Sequence, residues 1–272
     1  MKKRKIGIVV RLKATPEQIK EFNKNFGCVR KVYNLTLAEY NKLYEEDNSL
    51  KPTYTFLNSL MMEYKKSIPY LDAMESTSLQ QSIKDLSCAF DNFFKNPAHN
   101  PPKFHRKKDR KFSFRQTIPA NKKVIKENKL YLRRYGEIRF QTSPEYRELL
   151  NRPDLKVNNI TISYDGLDYY AIINIDDDYP EHFELTGKKI GCDINSNRNG
   201  WLVTSDGDKE FFNVNRENKM IKHLNQFIDK CRKKPSRKKR ALQERLQKHY
   251  NKRTNKLNDY IEKLSYDLVK KI

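Results

Sequence analysis

The chain has 272 residues, and its 56 lysines and arginines against 34 aspartates and glutamates give a formal charge of +22 before its five histidines are counted. Hydrophobic residues at 37% and aromatics at 11% suffice to close a core, which excludes disorder throughout. The positive excess points to a polyanionic partner, and phosphate backbones are preferred because each neutralised phosphate releases counterions. An acidic membrane would also require an amphipathic or lipidated anchor, and none is written here. The apolar residues 6–10 that follow Met1-Lys2-Lys3-Arg4-Lys5 are too few for a signal peptide, and no run approaches the roughly 18 apolar residues of a membrane span. A cytoplasmic protein with no membrane partner is therefore expected. The four cysteines, Cys28, Cys88, Cys192 and Cys231, lie far apart without a C-x-x-C pair, so neither a disulfide framework nor a zinc ribbon is expected, and reduced, buried thiols are the reading.

In chain order, Ile6-Gly7-Ile8-Val9-Val10-Arg11-Leu12 reads as a strand. Thr15-Pro16-Glu17-Gln18 follows as an N-cap, an N1 proline and a glutamine able to reach back to the cap. Ile19, Phe22, Phe26, Val29, Val32, Tyr33, Leu37 and Tyr40 recur at helical spacing, as do Leu79, Ile83, Leu86, Phe90, Phe93 and Phe94, so residues 14–96 form a helical unit. The segment Asn96-Pro97-Ala98-His99-Asn100-Pro101-Pro102 ends it, and a basic run from Lys103 to Lys111 follows. Residues 97–186 alternate short β-like segments with turns, which predicts a small antiparallel barrel. Residues 1–13 supply its first strand, making the helical unit an insertion.

Residues 187–272 open with Ile190-Gly191-Cys192-Asp193-Ile194, then Gly200-Trp201-Leu202-Val203-Thr204, a Ser205-Asp206-Gly207 turn and Glu210-Phe211-Phe212. Two or three paired strands are expected, with Asp193 at the end of the first and Trp201 in the core. Ile221, Leu224, Phe227, Ile228 and Cys231 mark one helical seam. Leu242, Leu246, Tyr250, Leu257, Ile261, Leu264 and Leu268 mark another, and Pro235 between them predicts an antiparallel helical hairpin. The second helix would be on the order of 50 Å long. It carries Arg237, Lys238, Lys239, Arg240, Arg245, Lys248, Lys252 and Arg253 on its other faces, which suits it to tracking a nucleic-acid backbone.

Four segments in order resemble the transposon-encoded TnpB proteins, RNA-guided nucleases related to the miniature type V CRISPR effectors. They are Phe26-Gly27-Cys28-Val29-Arg30-Lys31-Val32-Tyr33-Asn34, the helix from Leu79-Gln80-Gln81 to Phe93-Phe94, the stretch from Pro102-Lys103-Phe104 to Phe112-Ser113-Phe114-Arg115, and Ile190-Gly191-Cys192-Asp193 with the basic hairpin. The resemblance implies an α+β multidomain fold. A wedge-type β-barrel with an inserted helical recognition unit would precede a truncated RNase H-like (RuvC-type) domain with its basic helical hairpin. It also implies a guide RNA with a structured scaffold, a double-stranded DNA target read beside a short motif, and a prokaryotic protein that is nucleoid-associated when bound to DNA.

In that family Asp193 would be the first of several carboxylates holding two cations about 4 Å apart for in-line hydrolysis. The chain ends at Ile272, before the positions where the resemblance would place the second and third carboxylates and the zinc ribbon. Asp193 is therefore expected to be vestigial, a retained strand-end carboxylate, with no intact Mg or Zn site and no cofactor besides guide RNA. Glu210, Glu217, Glu244 and Glu262 are not expected to substitute, since Glu244 and Glu262 read as solvated partners in i,i+4 pairs. The expected function is that of the truncated, nuclease-dead TnpB-like repressors: RNA-guided binding that blocks transcription without cutting. The alternatives are an endonuclease completed by another chain and a non-specific nucleic-acid-binding transposon relic. A sheet shortened at its missing strand would leave an open edge, for guide RNA or a second copy in a homodimer to cover.

Arg106, Lys107, Lys108, Arg110 and Lys111, with Arg232, Lys233, Lys234, Arg237, Lys238, Lys239 and Arg240, are the expected contacts to the backbone of guide RNA or heteroduplex, which read shape and leave sequence to base pairing. The resemblance places the reading of the adjacent DNA motif at Tyr54, Gln80, Gln81, Lys84, Gln116 and Thr117, whose amides, ammonium and hydroxyl suit base edges. Tyr54 and Phe56 read as packing or base-stacking groups.

Overall fold

The structure, a computed structural model, describes residues 4–96, 98–107, 112–119, 122–177, 187–194, 202–207, 209–210, 213–231 and 237–271. The chain divides into two compact units, Met1–Asp178 and Tyr179–Ile272.

In the first unit, β1 (Arg4–Lys13) alternates as a half-buried strand should, with Ile8, Val10 and Leu12 buried and Val9 outward. Four helices follow: α1 (Pro16–Glu46), α2 (Tyr54–Ser67), the single turn α3 (Pro69–Asp72) and α4 (Ser76–Lys95). The chain then returns to the sheet through β2 (Phe112–Thr117), β3 (Ile125–Lys126), β4 (Lys129–Leu132) and β5 (Gly136–Gln141). A short α5 (Pro144–Leu150) leads to β6 (Val157–Tyr164) and β7 (Tyr169–Asp177). The seven strands order as β2-β6-β7-β1-β5-β4-β3, all antiparallel. β1 sits centrally, so the helices are inserted between it and the rest of the sheet. Among the described residues β2 and β3 remain edges, and the expected barrel is a curled half-barrel whose ladder does not close.

Helix α1 begins at the expected capping box. The Thr15 hydroxyl accepts from the Gln18 amide N–H at 3.3 Å, and the Gln18 side-chain oxygen accepts from the Thr15 N–H at 3.0 Å. The Gln18 side-chain amide also donates to the carbonyls of Tyr135 and Glu137 at 3.0 and 2.7 Å, stitching the helix start to β5 and the turn before it. Along α1 the buried stripe serves two cores in succession. Phe22 and Phe26 join the sheet core, with Phe22 ringed by Phe114, Tyr135 and Tyr169 at centroid distances of 6.2, 5.0 and 5.8 Å. Val32, Tyr33, Leu37 and Tyr40 join a second core with Leu57, Met61, Leu71, Leu79, Ile83 and Leu86. Asn25, fully buried where the two meet, donates to the Tyr135 hydroxyl at 2.8 Å and the Ser78 hydroxyl at 3.3 Å.

In the second unit, β8 (Cys192–Ile194), β9 (Leu202–Thr204) and β10 (Lys209–Glu210) form an antiparallel sheet in the order β10-β9-β8. The helices α6 (Asn215–Lys230) and α7 (Arg237–Lys271) follow as the expected hairpin. They are joined by the ion pair of Glu217, near the start of α6, with Lys256, far along α7, at 2.7 Å. At 1.5 Å per residue the 35 residues of α7 span about 52 Å. Ile221 and Leu224 are buried on the seam, whereas Phe227 is exposed. The cysteines depart from expectation: all four are free, but Cys28 alone is buried, Cys231 is half-buried, and Cys88 and Cys192 are exposed. Cys88 falls on the outer side of the amphipathic α4, and Cys192 lies on an edge strand. Trp201 lies outside the described residues.

Phe22→Ala should lower unfolding stability by about 3–5 kcal/mol, the usual loss for an aromatic side chain removed from a packed core. Thr15→Ala should cost about 1 kcal/mol through the cap. Urea unfolding of each variant checks both, and an unchanged Phe22→Ala midpoint would contradict the place of Phe22 in the sheet core.

Candidate nucleic-acid interface

The outward face of β2 meets α4 at a cleft of about 470 Å³ in the first unit. Gln81 donates its amide to the Thr117 hydroxyl at 3.2 Å. Lys84, three residues along α4, lines the same cleft, so three of the six residues expected at the DNA motif converge. Sequence reasoning missed Arg115, Lys5 and Lys156, which line it too. Arg115 was findable from strand period: residues 113, 115 and 117 share one face of β2, opposite Phe114 and Gln116. Arg115 is held by Asp85 on α4, which fixes the guanidinium across the junction. Lys5 and Lys156 arrive through strand pairing across the sheet and carry no local signal.

Gln116 and Gln80 depart from this arrangement. Gln116 is buried, and its amide donates to the carboxylate of Glu75, the residue that precedes α4. Gln80 is half-buried and does not line the cleft. Tyr54, in the first turn of α2, is exposed and likewise stands apart from it, while Phe56 packs edge-on against Tyr40 at 6.4 Å. Glu75 and Gln116 face a different cavity, about 760 Å³, which lies where the ladder is open between β2 and β3–β4. Burial holds the Glu75 carboxyl above its ordinary range, partly offset by the Thr77 hydroxyl that donates to it at 3.1 Å.

A carboxyl raised in this way binds its proton more tightly in the folded than in the unfolded chain. The destabilisation from the buried charge is therefore complete above the folded pKa and disappears as pH falls below the ordinary glutamate value of 4.5. Glu75→Gln should raise the urea midpoint at neutral pH and leave it nearly unchanged near pH 4. The opposite ordering would show that the Glu75 charge is stabilising.

The basic segments divide between the units. In the first, the Asn34 side chain makes a two-point bond to the backbone of residue 105, donating to its carbonyl at 3.0 Å and accepting from its N–H at 2.9 Å. The His105 ring stacks on Tyr33 at 3.9 Å. This clamp fixes the chain immediately before Arg106 and Lys107, both exposed. Lys108, Arg110 and Lys111 lie outside the described residues, as do Arg232, Lys233 and Lys234 in the second unit. On α7, Arg237, Lys238 and Arg240 are exposed and Lys239 is half-buried. Lys238, Arg245, Lys248 and Lys252 recur at helical spacing as one exposed cationic stripe about 21 Å long.

Asp193 is the middle residue of β8, paired with Val203, and its side chain is exposed. Glu217 is committed elsewhere. Its carboxylate is buried against Lys256, whose ammonium holds it below the usual carboxylate range. Among the described residues no three His, Cys, Asp or Glu side chains come together as a metal site. The donors among the described residues do not fit a two-cation centre, and no hydrolytic step is derived from them. Among the same residues no helix is long and apolar enough to cross a membrane.

Two family models match the chain: a helix-turn-helix domain of the OrfB/IS605 family over residues 1–49, and a probable transposase of the same family over residues 173–272. The first segment folds here as one strand and one unbroken helix, β1 and α1, rather than as two helices about a turn. Over 176 residues, 64% of its length, the chain is 28% identical to an Escherichia coli K12 protein named "Putative RNA-guided DNA endonuclease InsQ", of which the match covers 41%. Over 98 residues, 35% of its length, it is 34% identical to a Streptomyces pristinaespiralis protein named "Putative RNA-guided DNA endonuclease", of which the match covers 24%. The chain thus spans less than half the length of these relatives. It carries OrfB/IS605 segments at its start and its end, and these matches support its resemblance to the TnpB-like transposon proteins.

Proposed function

We infer that the chain is an RNA-guided DNA-binding protein that occupies a duplex target beside a short motif and, where the target adjoins a promoter, represses transcription without cutting. The observation that carries this reading is the convergence of Gln81, Lys84, Arg115 and Thr117 on one cleft at the α4–β2 junction. Amide, ammonium, guanidinium and hydroxyl there offer the donors and acceptors that base edges require, on rigid elements rather than loops. The names of the relatives support guide RNA and DNA as the two partners. The stripe on α7 supports backbone contact, with sequence delegated to guide–target pairing. In this reading residues 187–272 belong to an RNase H-like (RuvC-type) domain whose binding surface is retained. Action by occupancy, rather than hydrolysis, is supported by the exposed position of Asp193 on β8 and by the commitment of Glu217 to Lys256.

Purification from the native host should bring down one dominant RNA with a constant structured part and a short end that matches a chromosomal or plasmid site. With that RNA bound, Lys84→Ala and Gln81→Ala should each lower affinity for the motif-bearing duplex by about 1–3 kcal/mol, while affinity for the RNA itself is unchanged. A heterogeneous RNA mixture, with no gain in duplex binding from a matched guide, would overturn the reading.

The names of the relatives favour a second reading, an endonuclease whose further carboxylates lie outside these residues. Magnesium-dependent cutting of a guided duplex that is abolished by Asp193→Ala, with binding intact, would establish it. Under the reading preferred here Asp193→Ala leaves both guided binding and repression of a promoter-linked reporter unchanged.

A further inference from the structure

Helix α1 carries Gly27 in its interior, where a glycine weakens the helix and nothing in the fold requires one. Its backbone is not in the left-handed region, and a Cβ added there would meet nothing within 4 Å. Among the described residues, neither a turn nor a close approach accounts for the missing side chain. Gly27 instead lies in a groove of about 760 Å³ whose lining, among the described residues, includes Lys24, Arg30, Lys31 and Lys107 and no aspartate or glutamate. Tyr70, exposed over half its surface, forms part of its wall. Lys24 is paired with Glu21, and the Arg30 guanidinium lies 5.4 Å from the centre of the Phe112 ring, so both heads are held in place. Lys31 and Lys107 are exposed.

We propose that this groove binds the phosphodiester backbone of a nucleic-acid strand, with Gly27 letting the sugar–phosphate chain lie directly against α1 while Lys31 and Lys107 neutralise its phosphates. A side chain at residue 27 would stand between the helix and that strand. The exposed Tyr70 ring offers a stacking surface for a base or sugar at the groove wall. This site is distinct from the α4–β2 cleft, with which it shares no lining residue. The inference rests on the reading of the chain as a nucleic-acid binder, but on neither guided repression nor motif recognition.

The test uses the full chain and three fluorescent probes of one sequence about 20 nucleotides long: single-stranded RNA, an RNA–DNA hybrid and a DNA duplex. Anisotropy titrations compare the parent with Gly27→Leu, Gly27→Ala, Lys31→Ala and, as a control in the other cleft, Lys84→Ala. Gly27→Leu should weaken at least one probe by about tenfold or more, and Gly27→Ala by less. Lys31→Ala should flatten the dependence of log affinity on log salt by about one phosphate contact. The probe that loses most identifies the strand bound. Gly27→Ala should melt at or above the parent temperature, because alanine favours the helix and meets no neighbour. It therefore carries the test should leucine impair folding. If the parent binds and the Gly27 and Lys31 variants match it within about twofold on all three probes, the groove assignment is wrong and the proposed function stands. If the parent binds none of them, the nucleic-acid reading itself fails.

Discussion

The first unit depends on one helix being shared between two hydrophobic cores. The early turns of α1 place Phe22 and Phe26 inside the curled sheet, and its later turns carry Val32, Tyr33, Leu37 and Tyr40 into the helical unit. Neither core closes without it. At the boundary sits Asn25, fully buried, whose amide joins Tyr135 of the sheet to Ser78 of α4. The buried NH2 group of Asn25 finds both of its partners there, and its geometric demand fixes how the helices register against the strands. That registration brings α4 over β2 and so creates the cleft where Gln81 meets Thr117.

The same registration explains why the first unit offers two surfaces of different character. At the α4–β2 junction the side chains are mixed donors and acceptors, with Arg115 braced by Asp85. Such an arrangement discriminates, because a wrong partner leaves polar groups without bonds. Along the Gly27 groove the described lining is cationic without a carboxylate. Such a lining suits a phosphate chain of any sequence. In the proposed reading, recognition and retention fall on separate faces of elements held together by α1, which packs in both cores.

The half-barrel has a seam where β2 and β3 do not pair, and the cavity there is floored by Gln116 and Glu75. Burial of the Glu75 carboxyl is tolerated because Thr77 and Gln116 both donate to it. Gln116 is accordingly engaged within the fold and not extended toward the cleft. The helix-turn-helix description attached to residues 1–49 also meets a different geometry here, since α1 runs unbroken from Pro16 to Glu46. Its role is to hold a sheet and a helical bundle together while presenting one basic face.

Much of the local structure was legible in the residues. The Thr15–Gln18 box, the periodicity of Phe22, Phe26, Tyr33 and Tyr40, the break after Lys95 and the hairpin of α6 and α7 all follow from short-range rules of capping and hydrophobic spacing, and all stand in the structure. The TnpB-like resemblance was legible as well, because four short segments in order are specific where one alone is not. The resemblance places both Gln116 and Thr117 at the DNA motif, yet strand alternation buries Gln116 and leaves Thr117 exposed at the α4–β2 cleft. What sequence could not supply were the convergences made by long-range pairing: Lys5 and Lys156 beside Lys84, Gln18 reaching Tyr135 and Glu137, and Asn34 clasping the backbone at His105. The open space at Gly27 belongs with them. Residue types and their spacing determine what each element is and what chemistry it carries. Which chemistries share a site is decided when strands far apart in sequence pair and a helix packs across them, because those distances are set by tertiary contacts and by nothing local.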